Sequence, residues 1–78
     1  MTSLEKYEAA FKQAFGIDKN KLPVLKYQSI SEWDSVGHMA LMAALEETFD
    51  IMMDTDDIID FSSFEKGKEI LRKYGVEL

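Results

Sequence analysis

Residues 32–49 read "EWDSVGHMALMAALEETF": a serine follows an aspartate, and a histidine stands one helical turn later. Asp34, Ser35 and His38 are the side chains here whose types and spacing best suit chemistry. Ser35 falls where the stretch turns helical. In the first turn of a helix the backbone N–H groups lack intrahelical partners and the dipole is positive, so a phosphate is favoured there. Ser35 is thus a candidate for phosphoryl attachment, set against the plainer reading of a residue that merely starts a helix. Asp34 is an N-cap by type. The same carboxylate beside a serine hydroxyl would also help a partner enzyme hold a divalent cation during phosphoryl transfer. Ser35 and His38 suggest a hydrolytic pair, but no third group orients the imidazole, no G-x-S-x-G elbow is present, and a substrate pocket has little room. No enzyme is expected, and His38 belongs at the rim of the core.

The acidic stretch DTDDIID invites a calcium reading. Asp54, Asp56, Asp60 and Glu65 fall at loop positions 1, 3, 7 and 12 of an EF-hand frame, yet Ile58 and Ile59 stand where a ligand and a glycine are needed. No metal site is expected, and the stretch reads as a solvated acidic face. Acidic residues outnumber basic ones by 15 to 9, giving a net charge of −6. That balance repels nucleic acid and anionic membranes and attracts basic protein surfaces. There is no cysteine, which excludes disulfides and thiolate metal sites and suits a reducing, cytoplasmic setting. The first residues show no apolar signal-peptide core, and no apolar run is long enough to span a bilayer, so no membrane insertion is expected.

These residues need helices to hold them. Thr2 and Glu5 fit a capping box; Leu4, Tyr7, Phe11, Ala14 and Phe15 recur at helical spacing, and Gly16 suits a C′ stop. A helix over residues 3–15 follows. Residues 16–33 show no period and hold the only proline. They read as a long loop pinned to the core by Leu22, Val24, Leu25, Tyr27 and Ile30, with Trp33 packed just ahead of the next helix. That helix spans residues 35–49. At about 100° per residue, His38, Leu41, Met42, Leu45 and Phe49 share a core stripe. Val36, Met39, Ala40, Ala43 and Glu47 lie nearly opposite, a second apolar face with no evident use inside the chain. Met39 reads as a contact residue and Met42 as core filler. Asp54 or Thr55 caps a short helical turn over residues 56–60. Ser62 and Glu65 form a second capping box, and Phe64, Gly67, Ile70, Leu71 and Tyr74 repeat until Gly75. No segment alternates as a half-buried strand would. With 78 residues and 46% apolar content, the expectation is a single all-α domain over residues 1–78: a small antiparallel bundle of three main helices and one short helix, monomeric.

A serine at a helix mouth, preceded by Asp and followed by an exposed apolar and acidic face, resembles the acyl carrier protein family. The resemblance covers nearly the whole chain. The family's Asp-Ser-Leu signature corresponds to Asp34-Ser35-Val36, and its Leu-Glu-Glu-x-Phe helix end to Leu45-Glu46-Glu47-Thr48-Phe49. Its acidic short third helix matches residues 54–60, and its hydroxyl-capped last helix matches Ser62-Ser63-Phe64. The resemblance implies that Ser35 carries 4′-phosphopantetheine, transferred from coenzyme A by a carrier protein synthase with magnesium. The arm's thiol would then hold an acyl or aminoacyl group as a thioester and present it to partner enzymes. Asp34 would serve synthase recognition, and Val36, Met39, Ala43, Glu46 and Glu47 match the surface that partners read. Fatty-acid carriers usually have an acid where this chain has Ala40, and Trp33, Gly37 and His38 are unusual for them. Trp-Asp-Ser looks more like stand-alone carriers served by acyl- or aminoacyl-activating ligases. The cargo stays open. The alternative is an acidic helical interaction module with no cofactor.

Overall fold

The structure, a computed structural model, describes residues 2–78. Helix α1 spans Ser3–Phe15, a 3₁₀ helix follows at Lys19–Val24, and α2 spans Ser35–Phe49. Helix α3 spans Thr55–Asp60 and α4 spans Phe64–Arg72. The described residues hold no strand; one isolated antiparallel bridge joins Lys26 and Ser63. The all-α expectation therefore holds.

Helix α1 begins and ends as its sequence dictates. Thr2 Oγ1 accepts from the Glu5 N–H at 3.1 Å while Glu5 Oε1 accepts from the Thr2 N–H at 3.0 Å. Gly16 closes the helix at φ 64°, a conformation that glycine adopts without Cβ strain. Tyr7, Ala10, Phe11 and Phe15 are buried, and α1 packs chiefly against α2. On α2 the buried residues are Leu41, Met42 and Leu45, with His38 and Phe49 half-buried beside them.

The loop is more ordered than its lack of period suggests. In a 3₁₀ helix residues three apart align, so Leu22 and Leu25 face inward together and are buried. Val24 is turned about 120° from Leu25 by that geometry and is 75% exposed. It does not pin the loop, contrary to the expectation. Tyr27 and Ile30 are half-buried and do pack against the core.

The second capping box is displaced. The Ser62 carbonyl accepts from the Tyr27 N–H at 2.9 Å, which keeps the chain extended through Ser63 at φ −162°. Ser63 therefore becomes the N-cap, its hydroxyl accepting from the Lys66 N–H at 2.9 Å, and no Ser62–Glu65 box forms. Helix α4 ends at Arg72, and tighter turns carry the chain on to Gly75. Gly67 lets α4 sit on α1: a Cβ there would lie 2.2 Å from Phe61 Cζ and 2.2 Å from Tyr7 Oη. The buried Tyr7 phenol donates to the Phe64 carbonyl at 2.6 Å, and burial pushes its pKa well up.

Helix α3 is too short to hold itself. Asp57 is its anchor. Although DTDDIID reads as a solvated face, Asp57 is only 8% exposed. It accepts from Lys73 Nζ at 2.5 Å and from Tyr74 Oη at 2.5 Å. Tyr74 Oη in turn accepts from the Asp54 N–H at 2.9 Å. The bond from Lys73, then that from Tyr74, holds the Asp57 carboxyl below its ordinary value of 3.8. The same carboxylate raises Lys73 and Tyr74 above 10.5 and 10.0.

A group with a lowered folded pKa stabilises above its unfolded value and loses that contribution as pH falls through the folded one. Asp57→Asn should therefore be less stable than wild type at pH 7, with the gap closing below about pH 4. Lys73 and Tyr74, being raised, keep their contribution below their ordinary values and lose it only above them. Urea melts of both proteins across the acid range check this; a gap independent of pH would remove the ionised clamp.

Candidate functional site

Trp33 organises the mouth of α2. Its ring is fully buried, stacked on Phe15 with centroids 5.4 Å apart and edge-on to Phe11 at 5.6 Å. The indole N–H donates to His38 Nδ1 at 2.9 Å. An indole nitrogen only donates, so Nδ1 must carry the lone pair and Nε2 the proton. Nε2 accordingly donates to the Ile58 carbonyl of α3 at 2.7 Å. Both ring nitrogens are thus committed inside the fold. His38 holds no proton-accepting atom toward Ser35, and the hydrolytic pair has no geometry behind it.

The first turn of α2 leans tightly on the loop before it. A Cβ on Gly37 would lie 1.9 Å from the Glu32 carbonyl oxygen and 3.3 Å from the Phe15 ring, so only glycine fits. Asp34 is the N-cap, its Oδ1 accepting from the Gly37 N–H at 2.8 Å and its carbonyl from the His38 N–H at 2.7 Å. Ser35 is the first residue of α2, and it is exposed.

The Ser35 hydroxyl is not alone. Its Oγ lies 3.3 Å from Tyr27 Oη, and either atom can donate. The Tyr27 ring stands edge-on to Trp33 and to His38, with centroids 6.3 and 5.4 Å away. Ser35, Tyr27, His38, Met39, Ile58, Ile59, Phe61 and Ser62 line a cavity of about 360 Å³. Tyr27 reads in the sequence only as a core pin. It stands eight residues before Ser35 in an aperiodic loop, and no spacing rule brings its phenol there. The loop's own bonds do, with Gln28 at φ 65° and its N–H donating to the Trp33 carbonyl at 3.0 Å.

The remaining candidates form one open face, with one exception. Val36 is 78% and Met39 55% exposed, and Ala40, Ala43 and Glu47 are exposed beside them. Glu46 is half-buried, and its Oε2 accepts from the Met53 N–H at 2.9 Å, so it faces the loop after α2. Met52 and Ile59 are exposed apolar residues that the helical pattern did not single out. No lysine or arginine stands between Lys26 and Lys66, the span that holds α2 and α3. Among the described residues the ion pairs are Lys19–Glu8, Lys68–Glu65 and Lys73–Asp57, and Glu47, Asp56 and Asp60 join none of them. The described residues hold no cluster of three or more ligating side chains placed for a metal ion, and no helix among them is long and apolar enough to cross a membrane.

No protein-family model matches this chain, and neither a curated protein nor a solved structure matches it.

The open face makes a quantitative expectation. Truncating a buried aliphatic side chain costs about 2–5 kcal/mol, whereas surface changes stay within about 0.5 kcal/mol. Leu45→Ala should fall in the first range and Met39→Ala in the second. Thermal or urea melts of the two variants check it, and equal losses would mean that the Met39 face is covered in solution.

Proposed function

We propose that this chain is a carrier protein. Ser35 bears a 4′-phosphopantetheine arm, and the domain presents an acyl or aminoacyl group to partner enzymes. The observation that carries this reading is the exposed Ser35 hydroxyl at the opening of α2, beside an exposed apolar face in a span without cations. The residues present fit the arm. Ser35 is open to an approaching synthase, and the positive end of α2 favours the phosphodiester that would form. Its Oγ attacks the pantetheine-bearing phosphorus of coenzyme A as the bond to the adenosine bisphosphate breaks. The departing phosphate keeps the electron pair, and the serine proton passes to a base on the synthase. When bound, the arm supplies a thiol that holds the cargo as a thioester.

The rest of the site gives recognition. Asp34 stays exposed next to Ser35 for the synthase and its magnesium. Val36, Met39, Ala43 and Glu47 form the docking stripe. Glu47, which joins no ion pair among the described residues, attracts basic partners and raises the rate of encounter, which suits a shuttle that must bind and let go. Trp33, Gly37 and His38 are unusual for fatty-acid carriers, and Trp-Asp-Ser supports a stand-alone carrier served by an activating ligase. The same reading takes α1, α2 and α4 as the main helices of an antiparallel bundle and α3 as its short one, in a cytoplasmic monomer.

Incubation with coenzyme A, magnesium and a promiscuous synthase should add the mass of one phosphopantetheine to the protein and none to Ser35→Ala. No gain in the unaltered protein with several synthases would leave a cofactor-free acidic interaction module instead. Glu47→Lys should slow the transfer at low salt. That defect should shrink as ionic strength rises, because exposed attractions are screened over about 8–10 Å near physiological salt.

A further inference from the structure

We propose that Tyr27 is a positioning residue for the arm, its phenol donating a hydrogen bond to the phosphodiester on Ser35. The inference rests on the carrier reading. In the free protein the pair is ambiguous, since Ser35 Oγ and Tyr27 Oη each carry a proton and lie 3.3 Å apart. Esterification removes that ambiguity. The bond from Oγ to phosphorus replaces the serine O–H, so every oxygen around the phosphorus becomes an acceptor and the donor must be the phenol. A hydrogen bond to an ionised acceptor is shorter and stronger than one between two neutral hydroxyls.

The phenol is held ready for this. The Tyr27 N–H is bonded to the Ser62 carbonyl at 2.9 Å, and its ring is wedged against Trp33 and His38. Neither ring can turn aside, because the Trp33–His38 bond and the His38–Ile58 bond fix both. Little rotamer freedom is left to lose on binding. The phosphodiester is an anion in a span without lysine or arginine, and Asp34 adjoins it. A neutral O–H donor holds the anion there without cancelling the acidic surface that partners meet. Tyr27 thereby sets the direction in which the base of the arm leaves α2.

Tyr27→Phe keeps the ring and removes the donor. Wild type and variant are loaded with phosphopantetheine, and the phosphodiester is followed by phosphorus NMR alongside a thermal melt. The expected result is a displaced and narrower phosphorus resonance in the variant, with little change in melting temperature. The same resonance position and width in both proteins would overturn the proposal. Carbon NMR of the unaltered protein gives a second readout that needs no variant. On loading, the ring Cζ signal of Tyr27 should move while those of Tyr7 and Tyr74 stay, and an unmoved Tyr27 signal would likewise overturn it. Should wild type take up no phosphopantetheine at all, the carrier reading itself falls and this inference falls with it.

Discussion

The bond from the Trp33 indole to His38 Nδ1 is the contact on which the end of the molecule around Ser35 depends. With the bond on the far side of the imidazole, it ties together the loop, α2 and α3. Trp33 belongs to the loop that closes over α1, His38 to the first turns of α2, and the far side of the imidazole reaches the Ile58 carbonyl in α3. A buried indole N–H left unpaired costs about 1–3 kcal/mol, so the loop and α2 are held to one arrangement by the need to satisfy it, and the Nε2 bond brings α3 to them. Among the described residues no buried side-chain nitrogen or oxygen lacks a partner.

That constraint explains the neighbours. With Trp33 filling the space beside Phe11 and Phe15, the loop must run close under α2, and Gly37 is the residue that lets the Glu32 carbonyl approach. With His38 neutral and donating from Nε2, α3 has one tether at its middle. Asp57, bonded to Lys73 and Tyr74 after α4, supplies the other. A helix of six residues has no stability of its own to speak of, and it is kept in place by polar bonds from two sides more than by buried apolar area. Ser35 and Tyr27 stand where these constraints meet.

The helices were readable because caps and periodicity are local. Thr2, Glu5 and Gly16 delimit α1, and Asp34 opens α2, whatever the rest of the chain does. The split of α2 into a buried stripe and an exposed one followed from angle alone. What failed to show were features set by partners distant in sequence. Ser62 looked like a cap until its carbonyl was taken by Tyr27. Asp57 looked solvated because Lys73 and Tyr74, which cover it, lie sixteen and seventeen residues away. Val24 looked like an anchor because a 3₁₀ turn was not evident around Pro23. At the site, Asp34 and Ser35 were legible from their order, while Tyr27 was not, since only the closed loop sets its phenol beside Ser35. Glu46 matches the partner-facing surface by its order in the sequence, but its bond to the Met53 backbone depends on how the chain turns after Asp50.

Trp33 is the only tryptophan in the chain. Its indole is dry, parallel to an imidazole and bonded to it, and one step from α3. The molecule therefore carries its own optical probe. Unseating α3 from His38, or lifting the loop from α2, would admit water to the indole and move its emission to longer wavelength, with no label attached. Fluorescence of the native chain reports the state of the surface around Ser35 from inside the core.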